Sequence, residues 1–207
     1  MRTLFVLLLL LLSSNSYAQL ETGLLLNGGI GSISNTSLRK DDMVIDQFLE
    51  SGGRYKVKNL FNIAAGYRLR FNDKKINSFF YDIDFMFGVK KMEYKTLYCP
   101  NSALLESKAS DVILPLSIGI GANYKVMNDF YVGIGITPTY YFATPKTMYD
   151  IPIKGMIGYT TKKIGFSLNY QYSLVNTLKT KVYDGGRFSD WSVTIYIPFS
   201  LRKKQSL

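Results

Sequence analysis

The 207-residue chain contains no histidine and a single cysteine, Cys99. Without an imidazole there is no Ser-His triad or relative of it, and the usual His-containing zinc sites are out of reach. Cys99 stands beside Pro100 with no base near it in sequence, so it reads as an exposed thiol rather than an activated nucleophile. Gly119-Ile120-Gly121 and Gly133-Ile134-Gly135 superficially suggest a phosphate loop. They lack the following helix and lysine that phosphate binding needs, and their glycines recur at every second residue, as along one face of a strand. Asp82 and Asp84 are two neighbouring carboxylates of the sort glycosidases use, but Arg68, Arg70 and Lys90 share their surroundings. Ion pairing is the stronger reading, and no catalytic, cofactor-binding or metal-binding residue is expected.

Those five charges are placed by the local pattern. From Asn62 to Phe71 the odd positions are Ile63, Ala65, Tyr67, Leu69 and Phe71, while Arg68 and Arg70 fall on the even ones. From Phe79 to Lys90 the odd positions are again apolar or aromatic, and Asp82, Asp84 and Lys90 are even. Successive strand side chains point to opposite faces, so one face is greasy and the other carries all five charges. The polar stretch 72–77 between them makes the pair a hairpin. Placing Phe71 opposite Phe79 sets Arg68 across from Asp82 and Arg70 across from Phe80. Opposite charges across strands stabilise pairing.

The alternation continues through the chain. Val112 to Tyr124 and Phe130 to Phe142 are strands joined by a short turn at 126–129, with Gly, Ser, Thr and Asn on the second face. Ile151 to Tyr159 is a weaker strand, turning at 160–163 into Ile164 to Ser173. Trp191 to Leu201 is the last strand, and Thr22 to Ser32, with Leu24, Leu26 and Ile30 outward, is the first, making eight. Long polar connections at 33–57, 91–110, 143–150 and 175–189 alternate with the tight ones.

The N-terminus has a secretory layout. Arg2 is followed by an unbroken apolar run over 4–12, then Ser16-Tyr17-Ala18, with small residues suited to cleavage before Gln19. Residues 1–18 are expected to be a signal peptide and 19–207 one domain. The run is about half the ~20 residues a spanning helix needs, and no later stretch is long enough. An exported chain of this kind is soluble or a barrel. The formal charge is +10, or +10 − 1 = +9 without Arg2. Export points such a surplus away from nucleic acid and towards anionic lipid, lipopolysaccharide or a surface partner.

A soluble barrel would turn its apolar face inward around a ligand and carry Lys and Glu outside. Here the second face is rich in Gly, Ser, Thr and Asn, which suit a crowded lumen. On the greasy face Phe71, Phe79, Tyr124, Phe130, Tyr159 and Phe199 sit by the short turns or the C-terminus. Phe87, Tyr140, Phe142, Tyr170, Tyr172 and Trp191 sit towards the long loops. Two aromatic bands around an aliphatic middle match the girdles of membrane barrels. The expected fold is all-β: an eight-stranded antiparallel up-and-down transmembrane β-barrel with short periplasmic turns and longer outer loops.

Leader, eight alternating strands, long outer loops and the terminal strand WSVTIYIPFSL together resemble the small porin-like outer-membrane β-barrel family common in Bacteroidetes. Arg202 to Leu207, beyond the last aromatic Phe199, depart from its pattern. The pattern implies an outer-membrane location in a Gram-negative bacterium after leader cleavage. Outer-membrane proteases, phospholipases and lipid A deacylases rely on a histidine base, so a non-enzymatic barrel is expected. Eight strands leave an interior just filled by side chains, and burying Arg68, Arg70, Asp82, Asp84 and Lys90 unpaired would cost several kcal/mol, in rough terms. They are expected to form an internal salt-bridge plug, with an ion gate as the functional alternative. Three roles follow: structure or surface interaction through the outer loops, a narrow or gated channel, and a soluble barrel holding an apolar ligand.

Overall fold

The computed structural model describes residues 19–38, 53–72, 78–98, 105–127, 129–143, 148–161, 163–176, 178–179 and 183–199. The expected leader, Cys99 and the tail Arg202 to Leu207 lie outside them. Ten hydrogen-bonded stretches follow one another: β1 Gln19–Ser34, β2 Arg54–Asn72, β3 Phe79–Tyr98, β4 Leu105–Met127, β5 Phe130–Ile136, β6 Thr139–Ala143, β7 Met148–Asp150, β8 Pro152–Thr160, β9 Gly165–Ser173 and β10 Arg187–Phe199. They make eight staves, because β5 continues into β6 and β7 into β8. The two interruptions face each other: 137–138 holds Pro138, and Ile151 is followed at once by Pro152, the first residue of β8; proline has no N–H for the ladder. Ile118 N donates to Pro138 O at 3.0 Å and Thr137 N to Pro152 O at 2.9 Å, carrying the sheet across.

Each stave pairs antiparallel with the next, and β1 pairs with β10 from Thr22↔Phe199 to Ser34↔Arg187, closing the ring. Closure leaves no unpaired sheet edge around the barrel, which a strand in hydrocarbon requires. The alternation sorts residues as expected: Ile134 is 64% exposed on the outside and Thr194 6% exposed on the inside. Leu114 also faces out, while Gly121 faces in. A barrel holding an apolar ligand in its lumen is therefore ruled out. The chain folds as an eight-stranded antiparallel up-and-down barrel of the transmembrane kind.

Both aromatic bands form. At the short-turn end Phe79 stacks on Tyr124 with centroids 4.9 Å apart, and Phe130 on Tyr159 at 4.8 Å. At the long-loop end Tyr170 meets Trp191 at 4.8 Å and Tyr140 meets Phe142 at 4.9 Å.

Two expectations need correction, and the mouth of the barrel adds a third finding. The long connections are shorter than the sequence suggests, since β2 begins at Arg54, β3 runs to Tyr98 and β4 begins at Leu105. Beyond the apolar band neither face meets hydrocarbon, so the greasy alternation disappears while backbone pairing continues. The hairpin register also differs. Arg68 lies opposite Asp84, Arg70 opposite Asp82 and Phe71 opposite Tyr81. This two-residue slip keeps every side chain on its own face and gives both arginines a carboxylate instead of one. Thirdly, residues from the loops cap the barrel. Leu178 and Tyr183 pack with Met92, Ile113, Tyr141, Met148 and Phe188 to seal the long-loop mouth.

Candidate functional site

The interior contains one dense charge lattice, built by neighbouring staves. Arg68 donates from Nε and Nη2 to the two oxygens of Asp84 at 2.7 and 2.8 Å. Arg70 makes the same fork to Asp82 at 2.8 and 3.0 Å. Arg68 Nη1 also lies 3.3 Å from Asp82 Oδ2, tying the two pairs together. Paired guanidinium–carboxylate forks are the strong, geometrically fixed form of ion pair. All four residues are buried, so their mutual hydrogen bonds are what makes the burial of charge tolerable.

Three further partners complete the lattice. Lys154 on β8 places Nζ 3.2 Å from Asp84 Oδ2. Asn123 on β4 donates to Asp82 Oδ2 at 3.1 Å, and Arg70 Nη1 donates to Thr160 Oγ1 at 3.1 Å. Lys154 can reach because glycines occupy the staves it crosses. Gly119 is the partner of Asp84, Gly121 pairs with both Asp82 and Gly135, and Gly135 pairs with Lys154. A Cβ on Gly119 would stand 3.6 Å from Lys154 Nζ and 3.3 Å from Asp84 Cβ. The repeated Gly-Ile-Gly is lumen clearance, as its spacing implies.

An aromatic cage closes the short-turn end below the lattice. The Arg70 guanidinium lies 4.3 Å from the Phe80 ring centroid, 4.8 Å from Tyr196 and 5.9 Å from Tyr131. Phe80 meets Tyr131 edge-on at 5.1 Å, and Tyr196 donates its hydroxyl to Glu21 Oε1 at 2.8 Å. Cations over ring faces gain most where water is excluded.

Lys90 does not join this lattice. It points across the lumen towards the other end, donating to Asp190 Oδ2 of β10 at 2.6 Å, with its Nζ 4.3 Å from the Phe188 ring centroid. Between the Lys90–Asp190 pair and the middle of the barrel lies a polar cavity of about 60 Å³, lined in part by Asn27, Asn62, Ser117, Thr137 and Ser192. Asn62 Oδ1, Thr137 Oγ1 and Asp190 Oδ1 are buried there without a hydrogen-bond partner among the described residues.

Thus Arg68, Arg70, Asp82 and Asp84 come together and Lys90 stands apart. Sequence reasoning missed Lys154, Asp190, Asn123 and Tyr196 as partners. Strand parity could have placed the first two on the inner face, but their partners lie on staves distant in sequence. Chemically the lattice is a set of buried ion pairs in which each carboxylate accepts a guanidinium fork.

No family model matches the chain, and no curated protein matches it. Among solved structures it is similar to Neisserial surface protein A at 13% identity, covering 88% of this chain and 99% of that one, with a TM-score of 0.43. It is also similar to Ail, the attachment invasion locus protein of Yersinia pestis, in complex with the heparin analogue sucrose octasulfate. There the identity is 11%, the coverage 86% and 99%, and the TM-score 0.41. A de novo designed transmembrane β-barrel matches at 11% identity, covering 86% and 95%, with a TM-score of 0.42.

Proposed function

We propose that the chain is a non-enzymatic outer-membrane barrel of a Gram-negative bacterium, of the small porin-like type its sequence resembles, inserted after removal of residues 1–18. Its short turns face the periplasm, and its work is structural or adhesive, done through the long-loop end. The observation that carries this reading is the filled lumen. An apolar cap of Met92, Ile113, Tyr141, Leu178 and Phe188 closes one end, the Arg68–Asp84 and Arg70–Asp82 lattice blocks the other half, and Phe80, Tyr131 and Tyr196 underlie it. The described side chains fill the lumen at both ends, so the rigid barrel serves to present what it carries outside. Its partners are then outer-membrane lipid, lipopolysaccharide included, and an extracellular or envelope protein.

The test combines three measurements on the full chain. Folded protein should migrate differently on a gel with and without boiling. Protease added to intact cells should cut within the long connections only, 33–57 and 175–189 among them. Purified protein should give no steady conductance in a planar bilayer. A single gel position would count against a stable barrel, and steady conductance would transfer the function to the second reading, a narrow or gated channel. That reading is favoured by the polar cavity beside Lys90 and Asp190, which is a compartment a gate could connect.

A further inference from the structure

The polar cavity of about 60 Å³ lies between the two seals of the lumen. Its floor includes Met86 and Ser117, cross-strand partners one inward step above the lattice positions Asp84 and Gly119. Its roof includes Tyr141, which also belongs to the apolar cap. Lys90 crosses beside it to Asp190.

Three polar atoms of the lining have no hydrogen-bond partner among the described residues: Asn62 Oδ1, Thr137 Oγ1 and Asp190 Oδ1. Their residues are only 9%, 6% and 7% exposed. They stand on two walls of the chamber. Asn62 is the partner of Gly29 on one side of β1 and Asp190 the partner of Gly31 on the other. Both oxygens lean over the bare inner side of those glycines: a Cβ on Gly29 would stand 2.9 Å from Asn62 Oδ1, and one on Gly31 would run into Asp190 Oδ1. Thr137 belongs to the β5–β6 stave, directly across the ring from β1. Its N–H donates to Pro152 O and its carbonyl accepts the Thr139 hydroxyl. Its backbone is thus satisfied, and the hydroxyl is what remains.

A buried polar atom left unmet carries the full cost of leaving water, and the cavities that stay dry in proteins are apolar ones. We propose that this chamber binds a cluster of about four water molecules, at about 15 Å³ each, which bridges Asn62 and Asp190 to Thr137 across the lumen. Two grounds favour water over a cation. The Asp190 carboxylate already has the Lys90 ammonium 2.6 Å from its other oxygen, so a second cation would meet a like charge and give up its own hydration. The Thr137 hydroxyl also needs an acceptor for its proton, while the Asn62 and Asp190 oxygens need donors. Water supplies both. The half of the barrel towards the long loops is then held across its lumen by water, where the other half is held by ion pairs. The inference concerns the interior of the closed barrel and is independent of what the loops bind.

The test uses the full chain folded in detergent micelles, with heat-modifiable migration showing that each variant folds. Thr137→Val keeps the shape of the side chain and removes the hydroxyl. With water bound, the variant loses a bond and its unfolding constant in urea should rise roughly fivefold. In a dry cavity it would shed an unmet polar atom, and a fall in the unfolding constant would overturn the proposal. Oxygen-17 relaxation dispersion of the solvent reads the cluster itself. The wild type should show long-lived water, and Asn62→Leu/Thr137→Val should lose at least half of that signal while leaving the Lys90–Asp190 pair in place. An undiminished signal in the folded double variant would overturn the proposal, as would the absence of long-lived water in the wild type whether or not the variants fold. Stabilisation of the wild type, and not of Thr137→Val, by sodium or potassium chloride relative to choline chloride would assign the chamber to a cation and overturn it as well.

Discussion

Lys154 and Asp84 meet at 3.2 Å although two staves of the barrel lie between theirs. The contact exists because Gly119 and Gly135 leave those staves bare on the inner side, and it makes the lattice a feature of the closed ring rather than of one hairpin. Arg68 shares Asp84 with Lys154, so removing the carboxylate takes the ion-pair partner from Lys154 and leaves Arg68 with Asp82 alone.

Asp84→Ala should therefore destabilise the folded protein by about 3–5 kcal/mol, the cost of breaking a buried pair from one side. Removing Arg68 and Asp84 together should cost less than the sum of the single changes by about 1–3 kcal/mol. Urea unfolding in lipid vesicles measures both. Strict additivity would mean that the two side chains do not depend on each other.

The glycines divide into two kinds with opposite expected outcomes. Gly119→Val puts branched carbon where Lys154 crosses, and overpacking of this sort costs about 1–3 kcal/mol. Lys154→Met in the same background should recover part of that loss. Gly28 faces outward with no heavy atom within 4 Å of an added Cβ. Gly28→Val should be neutral or stabilising by up to about 1 kcal/mol, because a β-branched side chain suits a strand. Equal losses at the two positions would remove the distinction between lumen and lipid face.

The apolar cap predicts a local weakness. Leu178 is fully buried in it while the adjoining Lys179 is exposed. Leu178→Asp should free the segment from the barrel mouth without unfolding the barrel. Losing a buried leucine costs about 3 kcal/mol, so trypsin cleavage after Lys179 should quicken by roughly a hundredfold where opening precedes cutting. Heat-modifiable migration should persist. Unchanged cleavage with the barrel intact would mean that Leu178 does not hold the cap.

The barrel was legible in the sequence because its governing signal is local: each residue of Phe79 to Val89 declares its face by parity alone. The aromatic bands were legible for the same reason. Arg68, Arg70, Asp82 and Asp84 could be placed on one face but not in register, since a slip of two residues changes partners without moving any side chain to the other side. The partners of Lys90 and Lys154 were not legible. Asp190 lies 100 residues from Lys90, and Asp84 70 residues from Lys154, so only ring closure and the lumen's geometry bring them together.

The central claim is that successive side chains alternate between lipid and a filled interior. Single nitroxide labels test it in a Cys99→Ser background, at Ile134→Cys on the outer face and at Ser192→Cys on the inner face, with protein folded in vesicles. The account predicts that the label at 134 is relaxed by oxygen dissolved in the bilayer and shielded from a water-soluble nickel chelate, while the label at 192 is shielded from lipid-borne oxygen. Chelate access at 134 together with oxygen access at 192 would contradict it.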